Sequence, residues 1–107
     1  MATSRASLEF LLDQLSGLSG VRAKAMFGEY GLYVDDVLVG LVCDDQLYLK
    51  PTDGLRQVWP EAPLAPPYPG ARAHARVTAD RWEDAEWLVT MVQTTAQHLP
   101  PPRPRRR

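Results

Sequence analysis

The side chains of this chain that could do chemistry are few. There are two histidines, His74 and His98, one cysteine, Cys43, and two adjacent aspartate pairs, Asp35-Asp36 and Asp44-Asp45. A nucleophilic cysteine needs a nearby base and a depressed pKa. Cys43 falls in step with Val37, Val39 and Leu41, which reads as a small hydrophobe in a strand. The histidines sit on different expected elements. His98 belongs to the last turn of the final helix, where a cation suits the dipole. The aspartate pairs are turn chemistry, since adjacent turn side chains point apart and aspartate tolerates left-handed angles. Metal-ligand spacing is missing: there is no cysteine pair and no His-x-x-x-His. Ser4, Ser7, Ser16 and Ser19 all lie in or beside the first expected helix, and none sits in a nucleophile elbow. Gly28 and Gly31 in FGEYG precede no Gly-Lys-Ser/Thr and so make no phosphate loop; they suit a bulge or tight bend between strands. The expectation is a chain with no catalytic residue, no metal and no cofactor.

Anion binding is the remaining candidate chemistry. Arg72, His74 and Arg76 alternate on the polar face of an expected strand, where Arg22 and Lys24 could join them. The plainer reading is a solvated edge strand protected by long basic side chains. A second basic group, Arg103, Arg105, Arg106 and Arg107, lies in the terminal stretch PPPRPRRR, which favours an extended, solvated tail. Four of the 12 basic residues thus follow Leu99, leaving eight against 13 acidic residues, a net −5 for the body. An acidic body argues against broad nucleic-acid binding, because neutralising phosphates needs a positive surface. Nucleic-acid contact through the tail and the Arg72/His74/Arg76 face is therefore the lesser reading. Tyr30, Tyr33 and Tyr48 resemble single-strand stacking platforms in type only; cross-strand aromatic packing accounts for them.

Several elements must position these residues. Leu8, Leu11, Leu12 and Leu15 make one apolar stripe, predicting a helix from about Ser4 to Ser16 that stops at Gly17. Val21 to Phe27 reads as a strand. Tyr30–Val34, Val37–Cys43 and Leu47–Lys50 follow as apolar runs divided by the aspartate pairs, so the strands pair antiparallel as a meander. Thr52 to Trp59 is a short helix capped by Thr52 or Asp53. Five prolines in Pro60–Gly70 exclude helix or central strand and make a rigid loop over the core. Arg72 to Val77 is a further strand. Asp80, with Glu83 three residues on, caps a last helix whose buried stripe is Leu88, Met91, Val92, Thr95, Ala96 and Leu99, broadened by Trp82 and Trp87 and ended by Pro100. The order α-β-β-β-β-α-β-α gives an α+β fold of two layers: an antiparallel meander sheet covered on one face by the N- and C-terminal helices. Residues 1–99 form the domain and 100–107 a Pro/Arg-rich flexible tail.

One strand departs from that scheme. A sheet covered on one side alternates apolar with polar residues. In Val37–Cys43 both sets are apolar: Val37, Val39, Leu41 and Cys43 face one way, Leu38, Gly40 and Val42 the other. The second face therefore needs cover, either from the proline segment of the same chain or from a second subunit packed sheet to sheet. With no apolar stretch long enough to span a bilayer, no signal-peptide core and one cysteine, the expected address is cytoplasmic and off the membrane.

The stretch MFGEYGLYVDDVLVGLVCDDQLYLK, residues 26–50, resembles the TfoX (Sxy) N-terminal domain family. The likeness runs over most of residues 5–99 and rests above all on Met26, Phe27, Gly28, Tyr30, Gly31, Leu32 and Tyr33, which transfer as a fold signature. A more distant likeness is to the YjbR-type small proteins. The resemblance implies no catalytic residues. It implies kinship with bacterial regulators of natural competence thought to act with the cyclic-AMP receptor protein at promoters. Those longer proteins carry a second, helical domain, and this chain is expected to be a stand-alone member without it. The resulting expectation is a non-catalytic domain that meets a protein partner linked to transcription; a small-ligand pocket beneath the proline loop, near Cys43, is the other alternative.

Overall fold

The computed structural model describes residues 2–100, so Arg103, Arg105, Arg106 and Arg107 lie outside the described residues. Helix α1 (Arg5–Gln14) is followed by the strands β1 (Val21–Met26), β2 (Glu29–Val34), β3 (Val37–Cys43) and β4 (Gln46–Leu49). Helix α2 (Asp53–Val58), strands β5 (Leu64–Ala65) and β6 (His74–Val77), and helix α3 (Ala85–Gln97) complete the chain. The strands form one sheet in the order β1-β2-β3-β4-β6-β5, antiparallel throughout. This is the expected α+β architecture with helices from both chain ends against the sheet. Two differences follow from the proline segment. It contributes the edge strand β5, two residues long, and it thereby moves β6 off the edge into the sheet, between β4 and β5.

The meander is built from three two-residue turns. Phe27-Gly28, Asp35-Asp36 and Asp44-Asp45 each join directly paired strand ends, and all six residues have positive φ. Positive φ at both central positions is the type I′ requirement, the turn whose twist matches the twist of paired strands. The aspartates meet it as expected. The first turn shortens the expected strand Val21–Phe27 by one residue, because Phe27 has left the ladder.

The helical layer and the sheet meet in one core. Leu11 of α1 and Leu15 at its C-terminal cap, and Leu88, Met91 and Val92 of α3, pack on Leu32, Val34, Val42, Leu47, Leu49 and Val77. Fully burying such a side chain contributes about 1.5–3 kcal/mol against exposure, so these residues dominate the fold's stability. Trp82 joins them, almost wholly buried, and donates its indole N–H to the Val77 carbonyl at 3.2 Å. Its placement corrects the expected capping box at Asp80. Residues Ala79–Glu83 form a tight 3-10 turn that lodges the indole, and α3 starts afresh after Asp84, whose carboxylate accepts the Trp87 amide at 3.1 Å.

Strand β3 is not a simple alternation. Leu32 pairs with Gly40 and the next residue, Tyr33, pairs with Leu38, which leaves Val39 as an extra residue in a β-bulge. The bulge turns Val39 into the core, fully buried, and reverses the faces after it. Gly40 and Val42 face the helices; Leu38, Leu41 and Cys43 face the opposite side. Only glycine fits at position 40, because a Cβ there would run into the Tyr48 carbonyl on β4. Cys43 is thus aligned with Leu38 and Leu41, not with Val37 and Val39 as expected.

Candidate functional site

The face of the sheet away from the helices carries a groove of about 940 Å³. Its floor is apolar: Met26 from β1 and Leu38, Leu41 and Cys43 from β3. Its far wall is the proline segment, with Pro67, Tyr68, Pro69, Ala71 and Arg72, and with His74 at the start of β6. The cover expected for the second face is therefore, in part, this loop of the same chain; Pro67 is buried there. The near wall is the β1–β2 turn, with Phe27, Glu29 and Tyr30.

Phe27 is the most unusual residue of the site. Its side chain is 98% exposed and its φ is +51°. A bulky side chain in the left-handed region is a conformational outlier, costing roughly 1–2 kcal/mol. Asparagine is the residue such a turn prefers before glycine. Gly28, at φ +82°, takes the second position without strain. Across the groove Tyr68 is the second exposed aromatic, at 53%.

The rest of the Met26–Tyr33 signature supports this rim. Leu32 is fully buried in the core, and Tyr30 packs against it. Gly31 lies under Met26, Tyr33 and Leu38, each within 3.2 Å of where its Cβ would be, so its lack of a side chain lets those three close over the sheet. Lys24 sits 4.9 Å above the Tyr33 ring. Glu29, which the sequence reading passed over, fixes the near wall. Its two oxygens accept the Thr3 and Asp44 amides, both at 2.9 Å, joining the N-terminal segment and the β3–β4 turn to the start of β2.

Of the candidate chemistry residues, Cys43, Asp44 and His74 line the groove together. Burial, with Glu29 and Asp44 nearby, pushes the Cys43 thiol pKa up, the opposite of nucleophile activation. His98 lies away from the groove: it caps α3, with Nδ1 at 2.9 Å from the Thr94 carbonyl, and its ring covers Gly54 of α2. Among the described residues no group of three or more His, Cys, Asp or Glu could hold a metal ion, and no helix is long and apolar enough to cross a membrane.

The basic stripe is only partly as expected. The strand begins at His74, so Arg72 belongs to the preceding loop, and His74 Nδ1 lies 2.8 Å from the Arg72 carbonyl. Arg72 and His74 line the groove; Arg76 does not. Arg76 pairs across from Tyr48 of β4, with its Nε buried. Leu38 stands on the second face as expected from the double apolar pattern of β3, whereas Leu41, expected beside Val37 and Val39, is brought there by the bulge. Pro67 and Tyr68 had no signal as groove residues.

These residues can be set against known proteins. The family model described as the TfoX N-terminal domain matches residues 13–99. The "Uncharacterized 12.7 kDa protein in trpE 5'region" of Spirochaeta aurantia is 41% identical over 106 residues, covering 99% of this chain and 91% of that protein. With nearly the whole domain matched, from the last turn of α1 to just past the end of α3, this chain belongs to the TfoX N-terminal domain family.

Proposed function

We propose that this chain is a non-catalytic regulatory domain that works by contact with a partner protein linked to transcription, and that the groove behind Phe27 is its contact surface. Phe27 carries the reading. An aromatic ring held almost fully in solvent contributes no burial to the fold, and its backbone conformation costs stability. Surfaces that accept such costs are commonly binding surfaces, and large exposed aromatics are frequent anchors. Membership of the family supports a regulatory role, as does a Cys43 thiol whose pKa burial pushes up, away from nucleophile activation. The test is affinity capture from the host with the wild-type chain and with Phe27→Ser. The expected result is a transcription component held by the wild type and lost from the variant. Identical recoveries, or none from either, would contradict the reading.

A further inference from the structure

The charges around the groove are unequally engaged. At the near wall Glu29 is already occupied by two backbone amides. At the far wall Arg72 is exposed, and no carboxylate pairs with it among the described residues. Beside it, His74 directs Nδ1 at the Arg72 carbonyl, which leaves Nε2 as its remaining hydrogen-bonding atom. The Phe27 end of the groove thus carries the carboxylates Glu29 and Asp44, and the far wall carries the cation Arg72, beside an apolar floor. The exposed rings of Phe27 and Tyr68 add a size constraint. Whatever buries them must rise out of the groove and reach across both lips, more than a small enclosed ligand does.

We propose that the groove takes an extended peptide segment of a partner protein, in which a large apolar side chain is followed by acidic residues. The apolar anchor enters over Met26, Leu38 and Leu41, between Phe27 and Tyr68; the acidic residues lie toward Arg72 and His74. Arginine suits this role because its planar fork meets a carboxylate with two parallel hydrogen bonds. A nucleic-acid strand fits less well, since the body is net acidic and the Phe27 end of the groove carries Glu29 and Asp44. This deepens the contact reading above and rests on it.

Panning a phage library of random peptides, each about 12 residues long, against the full chain tests the idea directly. The best peptide is then made in two forms, with its acidic residues kept or changed to Asn and Gln. Both are titrated by fluorescence polarisation into the wild type, Phe27→Ser and Arg72→Gln. Positions 27 and 72 are exposed, and a melting curve for each variant verifies folding. The proposal expects enrichment of Asp or Glu after an aromatic or leucine. It expects about tenfold weaker binding by Arg72→Gln for the acidic peptide only, and weaker binding by Phe27→Ser for both peptides. Overturning results are no enriched peptide, a basic consensus, indifference to Arg72→Gln, equal displacement by oligo-deoxythymidine, or a dimer by sedimentation that peptide does not dissociate. If Phe27→Ser loses binding while Arg72→Gln does not, the contact reading stands and the acidic partner falls. If neither loses binding, both fall.

Discussion

Glu29 Oε2 accepts the backbone amide of Asp44 at 2.9 Å, tying the first residue of β2 to the turn that follows β3. The other carboxylate oxygen holds Thr3 at the same distance, and the Thr3 hydroxyl accepts the Asp45 amide at 3.1 Å. One side chain thus couples the chain's N-terminal segment, the groove's near wall and a hairpin tip. Hydrogen bonds to a charged acceptor are worth more than neutral ones, and deletion leaves two amides without it. Glu29→Ala is expected to cost about 1–2 kcal/mol in urea unfolding, with Glu29→Gln between it and the wild type. An unchanged midpoint for Glu29→Ala would contradict the coupling.

Asp45 adds a pH dependence to the same corner. The Ser4 amide first, and then the Ser7 side chain, hold its carboxyl below the usual carboxylate range. A depressed folded-state pKa gives stability that is fully present above the unfolded value, about pH 4, and is lost as pH falls through the folded one. The wild type should therefore lose stability more steeply than Asp45→Asn on acidification below about pH 4. Asparagine also tolerates the left-handed backbone at this position, φ +62°, so the comparison isolates the charge. Parallel acid limbs in the two proteins would refute it.

Cys43 is expected to behave as a core side chain. It is 6% exposed, and its thiol is shifted upward by burial and then by Glu29 and Asp44. Alkylation by iodoacetamide near pH 8 should be far slower than for a free thiol and should rise to the free-thiol rate on unfolding in urea. Rapid labelling of the folded chain would place a reactive thiolate at the groove and reopen an enzymatic reading.

The contact between α2 and the end of α3 is as specific as any in the core. A Cβ on Gly54 would fall on the ring of His98, which is itself held to Thr94. Gly54→Ala should cost about 1–2 kcal/mol, since the ring must leave its place. His98→Ala alone should cost less, and the double variant should recover most of the Gly54→Ala loss. Additive losses in the double variant would show that the two residues do not meet.

Local patterns carried most of the fold. The Leu8–Leu15 stripe, the aspartate turns and the Leu88–Thr95 stripe each depend on near neighbours in the chain, and each stands where its spacing puts it. The misplacements involve distant partners. The Val39 bulge is set by registry between β2 and β3, and the tight turn before α3 by the pocket that receives Trp82. Strand β5 exists because Leu64 and Ala65 meet β6. The site suffered from the same limit. Met26, Phe27 and Tyr30 were visible as a signature, and Arg72 with His74 as a basic pair. That they share one groove follows only once the bulge has turned Leu41 and Cys43 to the side of Leu38.

Phe27→Asn most directly tests the claim that this ring is kept for contact at the expense of stability. Asparagine is suited to the left-handed position before Gly28 and leaves no exposed ring. Urea unfolding of this variant, read beside partner capture, should show a gain of about 0.5–1 kcal/mol together with loss of the partner. A variant that is less stable than the wild type and still holds its partner would contradict the claim.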